Sequence, residues 1–204
     1  MIVIINYGVG NTGSILNMLK KIGAEAVISN DAELIARAGK LILPGVGAFD
    51  VAMERLRNEA FFPVLERRVL EDKTPLLGIC LGMQILGRRS EEGNLPGLSW
   101  LPSDVVRFRF NPVKEKRTIP HMSWNRIQVK KQHPLLAGLE NESKFYFVHS
   151  YHMVCDQVQD VLAETDYVYP FCSAVQRDNI CGVQFHPEKS HRYGMRLLKN
   201  FCAM

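Results

Sequence analysis

The sequence predicts an α/β sandwich with a largely parallel central sheet and a partly antiparallel extension, in one domain spanning residues 1–204. Three observations lead there. Through the first hundred residues, short apolar runs alternate with stretches of helical spacing, a β-then-α order. The run Thr74-Pro75-Leu76-Leu77 enters Gly78-Ile79-Cys80-Leu81-Gly82, which reads as a buried strand turning sharply into a helix. Past Trp100 the segments shorten and become strand-like, with no internal repeat and no low-complexity linker to mark a second domain.

Each element follows from its own pattern. Residues 2–5 are a continuous apolar run, hence a buried strand, and Ile15, Leu16, Leu19 and Ile22 then recur at helical spacing until Gly23 stops the helix. Residues 26–29 and 40–43 predict further parallel strands, and Asp31 between them caps a helix through Leu34. Helices are predicted over 51–58 and 61–71, the central strand over 76–80, and a helix beginning near Met83. The second half predicts strands over 105–110, 126–130, 144–148, 161–165, 171–176 and 180–185, closed by a helix near 193–201.

Composition narrows the function. The formal charge is +4, from 25 basic and 21 acidic residues, and the basic residues are scattered. The patches Lys114-Glu115-Lys116-Arg117 and Lys130-Lys131 are short and read as solvated loop or strand ends, so no nucleic-acid partner is predicted. Five cysteines, an odd number without paired CxxC spacing, argue against a disulfide framework and a structural zinc site, and a reducing cytoplasm is expected. The start lacks the basic region of a signal peptide, and no apolar run approaches membrane-spanning length.

The chemistry centres on Cys80. A strained strand-to-helix turn leaves room only for small neighbours, and it exposes its central side chain at the carboxyl end of the sheet. The first N–H groups of the following helix favour negative charge, whether a thiolate or an oxyanion beside it. His186 and Glu188 supply a base and its orienter if the strand over 180–185 ends beside Cys80, since residues two apart in extended chain point the same way. Pro187 restricts the backbone between them, so the carboxylate can hold one imidazole tautomer. Taken singly, a cysteine in an apolar strand is a small core residue and a histidine beside a proline has no chemistry; the combination points to nucleophilic catalysis.

Residues 78–84 (Gly-Ile-Cys-Leu-Gly-Met-Gln) and 185–190 (Phe-His-Pro-Glu-Lys-Ser) resemble the signature segments of the class I, or triad, glutamine amidotransferases. Residues 6–11, 44–49, 120–125 and 146–151 are similar, in the same order, to the branch of that family formed by the glutaminase subunits of imidazole glycerol phosphate synthase. The resemblance runs nearly end to end. It implies a three-layer sandwich in which Cys80, His186 and Glu188 release ammonia from L-glutamine, with no cofactor and no metal. It further implies an oxyanion hole from the Leu81 N–H and the Val46–Gly47 peptide, and a pocket lined by Gln84, Glu92 and the backbone of His149, Ser150 and Tyr151. The implied partner is a (β/α)8-barrel cyclase, joined as a heterodimer through segments holding Asn11, Pro120, Trp124, Asn125 and Lys189. Ammonia would pass internally to it, for synthesis of imidazole glycerol phosphate and aminoimidazole carboxamide ribotide.

Other readings stay open at this level. Gly8-Val9-Gly10-Asn11-Thr12-Gly13 is a formal GxGxxG between a strand and a helix, which alone predicts a dinucleotide. Against that, Asp31 lies beyond Ser29-Asn30, where it serves a helix cap better than a ribose. Asn6, Ser123, His152 and Gly87-Arg88-Arg89 depart from the pattern usual in the family. These departures leave room for a paralogous glutaminase that supplies amidino-sugar synthesis for bacterial surface polysaccharide. A subunit without turnover and a stand-alone thiol hydrolase of γ-glutamyl substrates are the remaining rivals.

Overall fold

The computed structural model describes residues 1–139 and 143–204. Strands β1 (Ile2–Ile5), β2 (Ala26–Ser29), β3 (Lys40–Gly45) and β4 (Leu76–Cys80) run parallel, and β12 (Ile180–Val183) joins β4 in the same direction. The order is β2-β1-β3-β4-β12, continued by β11 (Tyr169–Arg177), β10 (Val161–Tyr167) and β7 (Gln128–Val129), all antiparallel to their neighbours. Strands β9 (Tyr151–Cys155) and β5 (Ser103–Arg107) extend the antiparallel part through β11. A separate two-stranded sheet pairs β6 (His121–Arg126) with β8 (Lys144–His149).

Alternation along the strands creates two cores. Ile2 and Ile4 of β1 point to one side, where Ile15 and Leu19 of α1 (Thr12–Lys21) and Leu197, Leu198 and Phe201 of α7 (His191–Ala203) cover them. Val3 and Ile5 point to the other, under Ile35 of α2 (Ala32–Ala36), Met53 and Leu56 of α3 (Phe49–Asn58), and Leu65 and Val69 of α4 (Phe62–Leu70). Helices on both faces of a mostly parallel sheet make the three layers. Asp31 caps α2 by accepting from the Leu34 N–H at 2.9 Å.

The differences from expectation lie mostly past Trp100. The predicted strand over 105–110 begins earlier, as β5, and the strand over 126–130 is divided into β6 and β7. β6 was not legible because its outward residues include the apolar Met122 and Trp124, so polarity does not alternate. β9 follows β8 after one residue, hidden as its continuation. Between β5 and β6 a short turn of helix, α6 (Pro112–Glu115), is capped by Asn111. The helix after Cys80, α5 (Leu81–Gln84), starts two residues before Met83 and lasts one turn. A single turn sums few peptide dipoles, so local N–H groups rather than a macrodipole face the thiol. Among the described residues, no helix is long and apolar enough to cross a membrane.

Candidate active site

The turn at Cys80 is built by steric exclusion. Cys80 ends β4 and heads α5 with φ 56° and ψ −112°, a conformation that costs a side-chain-bearing residue strain. Close packing of the flanking glycines holds it. A Cβ on Gly82 would collide with the Leu43 carbonyl of β3, and one on Gly78 would lie 2.8 Å from the Gly82 carbonyl oxygen and 2.9 Å from the Met83 backbone. The elbow therefore seats directly on β3, with Cys80 6% exposed at its tip.

His186 arrives from the neighbouring strand, though by a different route from the one expected. β12 ends at Val183, and His186, extended at φ −101°, precedes a 3-10 turn over Pro187–Lys189. The turn, and not a continuing strand, brings Glu188 back toward the ring: His186 Nδ1 is 2.7 Å from Glu188 Oε1. The segment is pinned by the His186 N–H to the Tyr146 carbonyl at 2.9 Å, the Tyr146 N–H to Ser190 Oγ at 3.0 Å, and Ser190 Oγ to the His186 carbonyl at 2.6 Å. Burial by itself would lower the His186 pKa, but hydrogen bonds to Cys80 and Glu188 and the charges of both raise it to about 10. The ring thus has sulfur on one side and carboxylate on the other, and both favour its protonated form.

A cleft of about 550 Å³ opens in front of this group. Val46, Gly47, Cys80, Leu81, Gln84, Glu92, His149, Ser150, Tyr151 and His186 all line it, so the structure gathers these sequence-predicted residues in one place. Gly47 has φ 97° with open space where a Cβ would stand, leaving the Val46–Gly47 peptide without a steric bar to reorientation. Leu81 begins α5, so its N–H is at the elbow. Gln84 is 4% exposed, and its Nε2 donates to the Tyr151 carbonyl at 3.0 Å and to Gln184 Oε1 at 2.9 Å. Glu92 Oε2 accepts from the Phe49 N–H at 3.0 Å; partial burial raises the pKa of its carboxyl, which the Phe49 bond opposes and Asp50 reinforces.

Of the residues expected at a partner face, Asn11, Pro120 and Lys189 line the same cleft. Pro120 follows a cis peptide bond, and Lys189 Nζ stands 5.5 Å from the Tyr146 ring centre. Trp124 lies outside the cleft, 44% exposed, stacked on His191 with ring centres 5.3 Å apart. Asn125 is half-buried and turns inward, its Nδ2 donating to the Asp166 carbonyl at 2.9 Å.

Sequence reasoning missed two neighbours of the thiol. Gln184 is fully buried, with Nε2 3.7 Å from Cys80 Sγ. Its signal was available, since it stands two residues before His186. Tyr7 donates to the Pro44 carbonyl at 2.6 Å; burial and then the Cys80 charge push its phenol pKa up. The formal GxGxxG loop packs on the same strand end, because a Cβ at Gly10 would lie 2.9 Å from Pro44 Cβ and the Gly8 carbonyl accepts from Arg55 at 2.6 Å. Asp31, the acidic residue after β2, is engaged as a helix cap and not presented as a ribose ligand.

Known proteins resemble this chain over its full length. A sequence model of the family described as Glutamine amidotransferase class-I matches residues 3–204. The chain is 52% identical over 204 residues, covering all of both chains, to a Pseudomonas aeruginosa protein named imidazole glycerol phosphate synthase subunit HisH 2. It is 47% identical, again over the full length of both, to imidazole glycerol phosphate synthase subunit HisH of Bdellovibrio bacteriovorus. Among solved structures it is similar in fold to PurLQS from Thermotoga maritima, with TM-score 0.73, 16% identity, and 99% of this chain and 97% of that one covered. The full-length family match and these relatives establish that the chain belongs to the class-I glutamine amidotransferases, a family of enzymes.

Proposed function

We propose that the chain is the glutaminase subunit of imidazole glycerol phosphate synthase, acting as one domain over residues 1–204 in a cytoplasmic heterodimer with a (β/α)8-barrel cyclase. The observation that carries this reading is the meeting of Cys80 and His186, with Glu188 against the imidazole ring, at a cleft that also holds Asn11, Pro120 and Lys189. Ammonia released there emerges beside the residues expected to meet the partner. Internal transfer matters because ammonia in neutral water becomes ammonium, which has no lone pair to attack with. The partner then forms imidazole glycerol phosphate and aminoimidazole carboxamide ribotide, a step of histidine biosynthesis.

The geometry supplies a mechanism. The Cys80 thiolate attacks the side-chain carboxamide carbon of L-glutamine, and the Leu81 N–H with the Val46–Gly47 peptide receives the oxyanion. The His186 imidazolium gives its proton to the departing nitrogen, the C–N bond breaks, and a glutamyl thioester remains. Neutral His186 then takes a proton from water, the hydroxide adds to the thioester, and the C–S bond breaks to release glutamate. Thiolate and imidazolium are restored. Glu188 stabilises the imidazolium and fixes its orientation throughout. Glu92, the carboxylate in the cleft, is the natural partner for the α-ammonium of glutamine, and the backbone of residues 149–151 for its other polar groups.

The test uses the complex with the barrel subunit. Cys80→Ala should remove glutamine-dependent synthesis and leave synthesis from high ammonium salt, because the acceptor chemistry resides in the partner. Loss of both would refute the division of labour. Ser123, exposed on β6 between Met122 and Trp124 where the family commonly has glycine, favours keeping a second acceptor in view. If the chain activates an amidino-sugar synthase and not the histidine-pathway cyclase, the glutaminase chemistry stands and the pathway changes.

A further inference from the structure

His149, which lines the cleft, and His121 beside it carry imidazole rings that the mechanism does not use. His121 at the start of β6 faces His149 at the end of β8 across the two-stranded sheet, with His121 Nδ1 3.1 Å from His149 Nε2. His149 Nδ1 is 2.8 Å from the Tyr151 carbonyl oxygen, which can only accept. The His149 proton is therefore on Nδ1 and its Nε2 is a lone pair, so His121 must present its own Nδ1–H. At the far end, Asn125 Nδ2 stands 3.4 Å from His121 Nε2. Every ring nitrogen has one role.

The surroundings keep both rings neutral. His121 stacks on Tyr167 with centres 3.9 Å apart and on Phe147 at 4.9 Å, and Phe108 packs against His149 at 5.2 Å. Burial pushes the His149 pKa well below its ordinary value; burial and then the Arg117 charge bring His121 to about 4.

The Tyr151 carbonyl at the end of this chain also accepts from Gln84 Nε2 at 3.0 Å. Gln84 Nε2 holds Gln184 Oε1 at 2.9 Å, and Gln184 Nε2 reaches Cys80 Sγ at 3.7 Å. We infer that His121 and His149 are positioning residues for glutamine recognition: their locked tautomers set the backbone of residues 149–151, and through the Tyr151 carbonyl the amides of Gln84 and Gln184 beside the nucleophile. This rests on reading the cleft as the glutamine site. A pair that merely filled the aromatic cage would need no donor at His121 Nδ1, and phenylalanine would fill the same space.

The experiment compares His121→Phe and His121→Asn in the complex with the barrel partner. The asparagine amide reaches the place of Nδ1 and keeps a donor, whereas phenylalanine keeps the ring and loses it. Losing a buried neutral hydrogen bond is worth about tenfold in affinity, so His121→Phe should raise KM for glutamine about tenfold with kcat within roughly threefold of native. His121→Asn should return KM to within about threefold of native on the same scale. An unchanged KM in the phenylalanine variant, or equal damage in both, would overturn the inference. Independently of either variant, long-range 1H–15N correlation spectra of the native chain should show both rings as Nδ1–H tautomers, and an Nε2–H form of His149 would overturn it too. A native complex without glutaminase activity would instead sink the proposed function, whereas the tautomers bear on the histidine pair alone.

Discussion

His186 Nδ1 and Glu188 Oε1 are 2.7 Å apart, and both side chains are 2% exposed. Two residues of separation do not by themselves produce that contact; the 3-10 turn over Pro187–Lys189 does, held by Ser190 and Tyr146. A charged ring in so dry a place is tolerated only because carboxylate and sulfur flank it. In the proposed mechanism this is the proton that the leaving nitrogen takes.

Replacing Glu188 with Gln keeps the shape and removes the charge. Burial, which already opposes the imidazolium, then meets less compensation, so the His186 pKa should fall from about 10. The wrong ring tautomer also becomes available, and kcat for glutamine should drop on the order of 10³ to 10⁴. Histidine NMR titration and steady-state kinetics of the complex measure both; an unmoved pKa would remove Glu188 from the role of orienter.

Acid should destabilise the chain through its buried neutral histidines. His121 has a folded pKa of about 4, lowered by burial and then by Arg117, against about 6.5 unfolded. Between those values the unfolded chain binds a proton that the folded chain refuses. The contribution is thus complete above about pH 6.5 and lost as pH falls toward 4, at about 1.4 kcal/mol per pH unit for each such group. His149 is shifted in the same direction. Urea unfolding at a series of pH values should show the decline, and His121→Asn should make it shallower by about one proton. A flat profile from pH 6.5 to 4.5 would contradict the buried, neutral assignment.

Gly82→Ala should fail structurally. Its Cβ would meet the Leu43 carbonyl of β3, backbone against backbone, so either the elbow or the parallel β3–β4 pairing must give way. A loss of at least about 3 kcal/mol is expected, the scale of severe overpacking. Gly13→Ala is the control, since nothing lies within 4 Å of a Cβ there and the residue sits in α1. Chemical denaturation of both variants decides: equal stability would mean that the elbow does not seat on β3 as described.

Much of the parallel half was legible because its inner strands, β1 and β4, are buried on both faces and even the half-buried edge strand β2 is an apolar run. A continuous apolar run such as Ile2–Ile5 or the approach to Cys80 has one physical explanation, and β1, β2 and β4 have the ends that the pattern predicts. The antiparallel half was less legible because its segments are partly covered and run into one another, as β8 and β9 do at Ser150. At the site, Cys80, His186 and Glu188 could be singled out because glycine flanks and the His-Pro-Glu triplet are local signals. Gln184 offered only its place two residues before His186, and His121 carries no such signal.

By itself, then, the amino-acid order determined the sheet of the first half, the elbow, the candidates for nucleophile, base and orienter, and the family to which they point. Tertiary structure alone decided what surrounds them: the 3-10 turn that aims Glu188, the amides of Gln84 and Gln184 behind the sulfur, and the neutral pair of His121 and His149. Strand and turn propensities are properties of a few consecutive residues. Protonation state and hydrogen-bond direction depend on burial and on partners up to a hundred positions away, and those are settled only when the chain has closed on itself.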